Sequence, residues 1–487
     1  MLLLSILVPV FWGLFLLLRP EFKSRNALLT LTGLGLAVAA VLGLTAAFGS
    51  TEELNLFSFG KNLDLTFRVD AMGRLFAMVV TLVWVLSGIY AFEYMKHEKE
   101  EKRYFGFYVM VFGVLYGLVF AGNMVTFYLF YELMTLLSMP LVLHNRSKEA
   151  IMGGLKYLFY SLFGAYMVLF GLFFLNKYAL TLDFLPGGVL DLTAVAGNQG
   201  LLLVVAFSMI LGFSVKAGMF PLHAWLPTAH PVAPAPASAV MSGIIVKAGV
   251  LGMIRVVYYL IGTDFLRGTW VQTAWLSLSL VTVFMGSMLA YREKIMKKRL
   301  AYSTVSQASY ILFGLALLQP QGMMGSLLHV VFHAIIKSCL FLSAGAIIYK
   351  THKTNVEELR GIGKEMPVTI WCYTFASAAL IGIPPASGFI SKWYLAAGAL
   401  ESGLGIFSWL GPVVLLTSAL LTAGYLLPIT VNGFLPGADY AYDRLEKKEP
   451  VLTMLIPLVI LAALAVLLGV FPGVLTGYLT ELISGLL

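Results

Sequence analysis

The sequence predicts an all-α polytopic membrane protein. Apolar residues make up 60% of the 487-residue chain and charged residues only 11%, whereas a soluble domain carries roughly 25% charged residues. The net charge of +8 does not indicate a nucleic-acid partner, because the basic residues lie in short loops between apolar segments. Cys339 and Cys372 are the only cysteines, fewer than the four that an iron–sulfur cluster usually takes. No Gly-rich dinucleotide fingerprint follows a strand pattern, so we expect no cofactor and no redox centre.

Fourteen apolar segments approach or exceed the roughly 20 residues that cross a bilayer core as a helix. They cover residues 2–18, 27–48, 72–92, 104–121, 123–143, 153–175, 201–226, 237–262, 271–291, 300–318, 325–349, 367–400, 410–433 and 450–470. The first segment has no basic residue before it and no small-residue cleavage site, which predicts a retained helix rather than a signal peptide. The polar stretch 49–69 alternates apolar and polar residues, which predicts a short hairpin outside the membrane.

The orientation follows from the distribution of lysine and arginine. Loops after odd-numbered segments hold 21 of the 32 basic residues, and the loops on the other side hold four. Cytoplasmic loops carry the excess of basic residues, so both termini are predicted to lie outside. The remaining seven basic residues lie inside segments: Arg74, Lys156, Lys216, Lys247, Arg255, Lys337 and Lys392.

Four of these seven, namely Lys216, Lys247, Lys337 and Lys392, lie deep in their segments. A lysine at the bilayer centre costs about 2.5–3.5 kcal/mol on insertion scales, so a buried polar path for ions or protons is the expected explanation. The other three, Arg74, Lys156 and Arg255, lie near segment ends, where snorkelling to the interface accounts for them.

Two segments, 201–226 and 367–400, are too long for one straight helix, and both contain proline. Lys216 precedes Pro221 by five residues, and Lys392 follows Pro385 by seven. Proline removes a backbone donor and clashes with the preceding turn, and paired interrupted segments point to a transport site. We therefore predict discontinuous helices at the seventh and twelfth spans.

The positions of these breaks suggest an internal repeat. Segments 4–8 and 9–13 form two blocks of five, and the break falls in the fourth segment of each block. An odd number of spans inverts the second block in the membrane. We predict three N-terminal helices in residues 1–103, five-helix repeats in 104–262 and 270–433, and a C-terminal helix in 450–487.

Further titratable residues lie inside the apolar segments. Glu132 sits in mid-span, where a carboxylate is costly unless it is paired, and a lysine on another helix is the expected partner. His329, His333 and Lys337 recur at a spacing of four residues, which places them on one helix face. Histidine titrates near neutral pH and can relay protons. A structural ion pair or satisfied core histidines remain the alternative interpretation, and no carboxylate or cysteine set accompanies the histidines to suggest a metal site.

Four stretches of the chain resemble the antiporter-like subunits of respiratory complex I, of Mrp-type cation/proton antiporters and of membrane-bound group 4 hydrogenases. The stretches are Lys216–Pro227, Ala235–Ser242 leading to Lys247, Lys298–Gln307 and Gly382–Lys392. The resemblance implies that family's fold of fourteen helices with two inverted five-helix repeats. Lysines at the eighth and twelfth spans bring the pattern closest to the Mrp D-type subunit, whereas the segment His230–Pro236 leans toward hydrogenase-type versions.

The resemblance also implies a role for each candidate residue. Glu132 would tune Lys216 on the broken seventh helix, and Lys247 would be the central lysine. His329, His333 and Lys337 would link Lys247 toward Lys392 on the broken twelfth helix.

The expected function is proton translocation along a mid-membrane file of these residues, driven by a partner's electron transfer or by an ion gradient. The expected partners are other membrane subunits, including further antiporter-like ones, in the inner or plasma membrane of a prokaryote. Whether sodium is also carried stays open. Two other classes stay open: a structural membrane subunit with a non-conducting path, and an independent solute carrier, which would need a polar substrate pocket.

Overall fold

The computed structural model describes residues 1–49, 53–58, 60, 62–437, 440 and 446–487. The chain is built from helices joined by short turns, with one small hairpin. The helices are α1 Leu2–Leu18, α2 Arg25–Phe48, α3 Ala71–Tyr94, α4 Glu101–Val119, α5 Met124–Val142, α6 Lys148–Tyr178, α7 Leu192–Val195, α8 Gln199–Ala217, α9 Leu226–Val232, α10 Ala235–Val240, α11 Val246–Ile254, α12 Thr263–Leu266, α13 Trp270–Arg292, α14 Met296–Ala316, α15 Pro320–Thr351, α16 Ile362–Glu365, α17 Pro367–Ile381, α18 Ser387–Glu401, α19 Ile406–Phe434, α20 Leu452–Val470 and α21 Gly473–Ser484. Two π-helical stretches, Met241–Ile245 and Arg255–Ile261, flank α11 and make Ala235–Ile261 one continuous helical span.

Ten helices in the described part of the chain are long and apolar enough to cross a membrane. They are Arg25–Phe48, Ala71–His97, Met124–Val142, Lys148–Tyr178, Gln199–Ala217, Ala235–Ile261, Trp270–Arg292, Pro320–Thr351, Ile406–Phe434 and Leu452–Val470. α1 and α17 are shorter apolar helices. α4 and α14 begin with charged residues, Glu101–Arg103 and Lys297–Arg299 respectively.

The stretch between α2 and α3 forms a hairpin, as the alternating pattern predicted. Strand β1, Leu54–Ser58, pairs antiparallel with strand β2, Asp64–Phe67, so that Leu54 lies opposite Phe67. Asp70 follows the hairpin and caps α3, because its carboxylate accepts a hydrogen bond of 2.7 Å from the Gly73 amide. Lys61 and Arg444, two of the basic loop residues counted above, lie outside the described residues.

Two helical spans form the interior of the bundle. Ala235–Ile261 and α15 are buried over nearly their whole length, whereas only about a third of the apolar stretch is buried in α2, α19 and α20. A helix that is apolar all round is buried, and one with an exposed apolar face in this setting meets lipid. α15 packs against α3, α10, α14, α17, α18 and α20, so the histidines and lysine that it carries lie at the centre of the protein.

The seventh predicted span is broken as expected. α8 ends at Ala217, Gly218 adopts the left-handed conformation with φ 79°, and the helix resumes only at Leu226. Pro221 lies in this interruption. Lys216 therefore occupies the last turn of a half-helix.

The twelfth predicted span is broken in the same way. α17 ends at Ile381, Gly382 has φ 94°, and α18 begins after Pro384 and Pro385. Gly388 lets the two half-helices approach closely, because a Cβ at this position would collide with the Ala379 carbonyl oxygen. Lys392 lies on the second half-helix.

Two expectations for basic residues are corrected. The tenth segment was predicted to begin at residue 300, which placed Lys297 and Arg299 in a surface loop. α14 begins at Met296, so Lys297 is only 6% exposed and Arg299 only 8%. The charged first turn lowers the apolar character of this segment, and a pattern based on hydropathy therefore starts the helix too late.

Arg255 is the second correction, because it is 1% exposed and so does not extend its charge to solvent as snorkelling requires. Its guanidinium forms an ion pair with Asp70, with Nη2 donating to Oδ1 at 2.8 Å. Phe184 and Tyr259 cover it, with ring centroids 4.7 and 4.6 Å from its Cζ atom. The partner carboxylate precedes α3 and is distant in sequence, so no local pattern reveals the pair.

Candidate functional site

The seven predicted site residues lie on five helices. Glu132 is on α5, Lys216 on α8, Lys247 on α11, and Lys392 on α18, while His329, His333 and Lys337 share α15. The five residues Lys216, Lys247, His329, His333 and Lys337 are at most 2% exposed, and Glu132 and Lys392 are half-buried.

The Lys216 ammonium is held by hydroxyl groups from α5 and α6. Its Nζ atom donates hydrogen bonds to Thr135 Oγ1 at 2.7 Å, to Ser161 Oγ at 2.9 Å and to the Tyr157 hydroxyl at 3.2 Å. The Tyr157 ring also lies beneath it, with the centroid 4.5 Å from Nζ. A full set of three acceptors matches the three donors of an ammonium group.

Glu132 does not bond directly to Lys216. Among the described residues no carboxylate lies within 4.0 Å of Nζ of Lys216, and Glu132 Oε1 is buried without a hydrogen-bond partner. The expected direct pair is therefore absent here, and the Lys216 ammonium is bonded to the three hydroxyls instead. Glu132 precedes Thr135 by three residues, so the carboxylate and one hydroxyl of the Lys216 set share a helix face.

Lys247 and His333 are in direct contact. Lys247 Nζ lies 2.5 Å from His333 Nδ1 and 2.5 Å from the Ser242 carbonyl oxygen. For the ammonium to donate to Nδ1, this ring nitrogen must be unprotonated, which places the imidazole proton on Nε2. Ser242 belongs to the π-helical stretch before α11, and such stretches frequently mark functional sites.

The imidazole rings continue the file away from Lys247. The His333 and His329 rings are stacked with centroids 5.7 Å apart, and the His329 ring is stacked on Tyr310 at 5.5 Å. His329 Nδ1 lies 2.9 Å from Ser391 Oγ. Lys392, the next residue, places its Nζ 5.1 Å from the centroid of the same Tyr310 ring.

The break in the twelfth span supplies the ligands of Lys392. Its Nζ donates to the Leu380 carbonyl at 2.6 Å and to the Ile381 carbonyl at 2.9 Å. These carbonyls end α17 and lack helical partners of their own. Irregular backbone at membrane depth is tolerated where it lines a polar site.

Lys337 does not take part in this chain of contacts. Its Nζ donates to the Leu300 carbonyl at 2.9 Å and lies 5.9 Å from the Phe341 ring centroid. Along α15, Lys337 lies one turn after His333, whereas His329 lies one turn before it. The structure therefore brings Lys247, His333, His329 and Lys392 together and leaves Lys337 to one side.

The helices of Lys216 and Lys247 touch without a side chain between them. A Cβ at Gly249 would lie 2.9 Å from Lys216 Cβ and 2.5 Å from the Phe213 carbonyl oxygen. Gly249 follows Lys247 by two residues, so the absent side chain lets the last turn of α8 pack directly on α11.

Gln307 on α14 is buried, and both its side-chain oxygen and nitrogen lack a hydrogen-bond partner in the described part of the chain.

Sequence reasoning missed the hydroxyl residues of the site. They are Thr135, Tyr157, Ser161, Tyr310 and Ser391. Serine, threonine and tyrosine are common in apolar helices and carry no charge, so they do not stand out there. The only usable signal was proximity in sequence, since Ser391 adjoins Lys392 and Thr135 lies one turn after Glu132. In the described ranges, no three potential metal-ligating side chains come together.

Comparisons with known proteins agree on one group. Residues 121–422 match the family described as NADH:quinone oxidoreductase/Mrp antiporter, TM. Residues 57–105 match the family described as NADH-Ubiquinone oxidoreductase (complex I), chain 5 N-terminus.

Two relatives and one solved structure illustrate the range of this group. The chain is 31% identical over 436 residues to hydrogenase-4 component B of Escherichia coli (strain K12), and the match covers 83% of this chain but only 62% of that protein. It is 26% identical over 472 residues to the D-type subunit of the Na(+)/H(+) antiporter of Alkalihalophilus pseudofirmus (strain ATCC BAA-2126 / JCM 17055 / OF4), covering 96% of this chain and 93% of the relative. The fold matches a chain of the membrane-bound sulfane sulfur reductase, an archaeal respiratory membrane complex, with a TM-score of 0.86 at 23% identity, covering 100% of this chain and 97% of that one.

Proposed function

Because the chain belongs to the NADH:quinone oxidoreductase/Mrp antiporter transmembrane family, we propose that it moves protons within a multisubunit membrane complex. The protons pass along Lys216, Lys247, His333, His329 and Lys392. The observation that carries this proposal is the 2.5 Å contact between Lys247 Nζ and His333 Nδ1, because it joins the lysine of one predicted repeat to the histidines of the other.

The geometry supports transfer by short steps. Proton transfer needs hydrogen-bond reach or a chain of a few waters. Lys247 reaches His333 directly, and His329 and Lys392 meet at the Tyr310 ring and at neighbouring residues of α18. The histidines are buried in protein rather than facing lipid, which is what a relay requires.

Glu132 acts on Lys216 from a distance in this proposal. The three hydroxyls hold the ammonium in the arrangement seen here, and the unpartnered Glu132 oxygen offers an alternative acceptor. When Lys216 turns toward Glu132, the positive charge moves within the file and biases the protonation of Lys247. The energy for this motion comes from partner subunits, through electron transfer or an ion gradient.

The proposal includes the membrane arrangement. We count fourteen spans in this arrangement: the ten helices of sufficient length, the shorter helices α1 and α17, and the charged-start helices α4 and α14. Both termini lie outside, and the five-helix units in 104–262 and 270–433 are inverted repeats with Lys216 and Lys392 at their breaks. The membrane is the inner or plasma membrane of a prokaryote.

The partners are other membrane subunits, including further antiporter-like chains. The relatives include a hydrogenase component and an antiporter subunit, so both kinds of complex are compatible with this chain. Mild-detergent purification tests the point, since a complex subunit copurifies with defined membrane chains and an independent carrier is recovered alone.

The test of function is proton translocation by the intact complex in liposomes. Lys216→Ala abolishes translocation while the complex still assembles, because Ala offers no site for the proton. Lys294→Ala is the matched control, since Lys294 is 67% exposed and pairs with Glu357 at the surface. Wild-type translocation by Lys216→Ala overturns the proposal and leaves the structural-subunit interpretation.

A further inference from the structure

We infer that a second polar file, formed by Glu98, Lys297, His230 and Lys337, delivers protons from one membrane face to Lys247. This inference rests on the proposed function and adds to it an uptake route with its own residues. By the distribution of basic loops, the face is the cytoplasmic one. The principal file described above does not use any of these four residues.

A cavity forms the outer end of the second file. It has a volume of about 210 Å³, and its lining includes Glu98, Lys297, Tyr94 and Asn145 together with residues 231–234 at the α9–α10 turn. Glu98 is half-buried at this cavity and follows α3 just outside the membrane span. Burial raises the pKa of the Glu98 carboxyl, and the Lys297 ammonium opposes this by favouring the ionised form.

Lys297 lines the cavity and also binds the backbone beside His230. It is 6% exposed, and its Nζ donates to the Pro231 carbonyl at 3.2 Å and to the Ala233 carbonyl. These carbonyls lie at the end of α9, where helical partners are lacking. Lys297 is therefore buried, touches the cavity and binds the backbone carbonyl next to His230. This position allows it to pass protons from the cavity toward His230.

His230 is the next group inward, and it has unused hydrogen-bonding capacity. Its side chain is fully buried, and neither ring nitrogen has a hydrogen-bond partner among the described residues. A buried polar group without a hydrogen-bond partner is costly, so a histidine at such a position needs a reason. Its ring stacks on Phe341 with a centroid distance of 4.7 Å, which fixes its plane and leaves both nitrogens free to exchange protons.

Lys337 connects His230 to the principal file. The Phe341 ring that holds His230 lies 5.9 Å from Lys337 Nζ. Lys297 donates to the carbonyl of Pro231, the residue after His230, and Lys337 lies near the Phe341 ring on which His230 stacks, so a lysine is linked to each of these two neighbours of His230. Lys337 follows His333 by one turn of α15, and His333 is bound to Lys247. This gives Lys337, which lies outside the principal file, a place in the mechanism.

The test compares adjacent lysines in the intact complex reconstituted in liposomes. Lys297→Met is expected to slow proton translocation about tenfold or more, because relay groups contribute at least this much to proton transfer. Lys298→Met is the matched control, since Lys298 is one residue away but is 35% exposed and pairs with Glu293, which lies outside the second file. His230→Phe keeps the ring stacked on Phe341 and is expected to slow translocation to a similar extent.

The solvent isotope effect separates proton delivery from a loss of folded complex. If delivery becomes limiting, the ratio of rates in H2O and D2O rises for Lys297→Met and His230→Phe. A folding defect lowers the number of active complexes and leaves this ratio unchanged. Slowed translocation with an unchanged ratio therefore overturns the inference.

The remaining outcomes distinguish the two proposals. If Lys297→Met and His230→Phe translocate at the wild-type rate while His333→Ala is slow, the second file is wrong and the principal file stands. If all three match the wild type, the proposed function itself fails. Should the buried variants not assemble, Glu98→Gln at the cavity decides, since it is expected to slow translocation with the same rise in isotope effect and a wild-type rate overturns the inference.

Discussion

At the scale of single residues, the ligands of Lys216 determine how easily its charge can move. A buried ion pair costs about 3–5 kcal/mol to break, whereas a hydrogen bond to a charged group contributes about 1.5–3 kcal/mol. Three neutral hydroxyls hold Lys216, so the ammonium can exchange one of them for a new acceptor without first separating from a carboxylate. This favours a mobile lysine over a locked structural pair.

The first prediction concerns Glu132→Gln. We expect proton translocation to slow by about tenfold and to remain above that of Lys216→Ala, because the glutamine removes the charge that attracts the ammonium but leaves the hydroxyls in place. Initial rates in proteoliposomes measure the effect. Glu149→Gln, an exposed carboxylate in the first turn of α6, is the control. Equal rates for wild type, Glu132→Gln and the control contradict a role for Glu132.

The charged residues of the site could be predicted from the sequence, and their ligands could not. Charged groups such as Lys216 and Lys392 stand out in an apolar segment because the bilayer penalises them. The hydroxyls of Tyr157 and Tyr310 carry no such penalty, and their partners come from helices far away in the sequence. The sequence did not predict that Lys297 is buried in α14, because a cluster of basic residues such as 297–299 is typical of a loop.

At the scale of secondary-structure elements, the two helix breaks place lysines beside free backbone carbonyls. The proline and lysine pattern predicted both breaks, whereas the close approach of the half-helices became visible only in three dimensions. Gly388 allows that approach at the second break. Lys392 depends on it, because the carbonyls of Leu380 and Ile381 must face the ammonium.

The second prediction is that Gly388→Ala destabilises the protein and impairs translocation. The added methyl group would collide with the Ala379 carbonyl, and overpacking of this kind costs about 1–3 kcal/mol. Thermal unfolding in detergent and translocation rates provide the measurements. Gly477→Ala is the control, since a Cβ there meets nothing within 4 Å. Identical melting temperatures and rates for the two variants contradict the role assigned to Gly388.

The third prediction concerns the ion pair between Asp70 and Arg255, which ties the start of α3 to the π-helical stretch after α11. Asp70→Asn keeps a capping side chain for α3 but leaves the Arg255 guanidinium buried without its counter-charge, which costs about 3–5 kcal/mol. Thermal unfolding measures the loss. Asp264→Asn disrupts an exposed pair with Arg267 and is expected to leave stability unchanged. A small, equal effect of both changes argues against a stabilising role for the buried pair.

At the scale of the whole molecule, the loops carry the information about orientation. The fold class and the two helix breaks follow from composition and pattern, and the side of the membrane that each loop faces is predicted by its charge. The 21-to-4 distribution of basic residues predicts that the loops after odd-numbered segments are cytoplasmic, and Lys297 and Arg299, although they belong to the first turn of α14, lie at the same end of that helix. The uptake route inferred above depends on it, because Glu98 and Lys297 lie at the face with the basic loops.

The fourth prediction tests this orientation by labelling with a membrane-impermeant maleimide. Lys294→Cys, in the loop between α13 and α14, is expected to react only from the cytoplasmic side, and Leu192→Cys, which replaces a side chain that is 75% exposed, only from the outside. The native Cys339 and Cys372 are buried and give little background. Labelling of Lys294→Cys from the outside would contradict the predicted orientation and indicate the reverse topology.

The central claim is that the contact between Lys247 and His333 carries protons between the two halves of the molecule. Proton translocation by His333→Ala in the reconstituted, fully assembled complex tests it most directly. The account predicts a fall of about 100-fold, because removal of the imidazole leaves only water between Lys247 and His329. A wild-type rate from an assembled His333→Ala complex would contradict it.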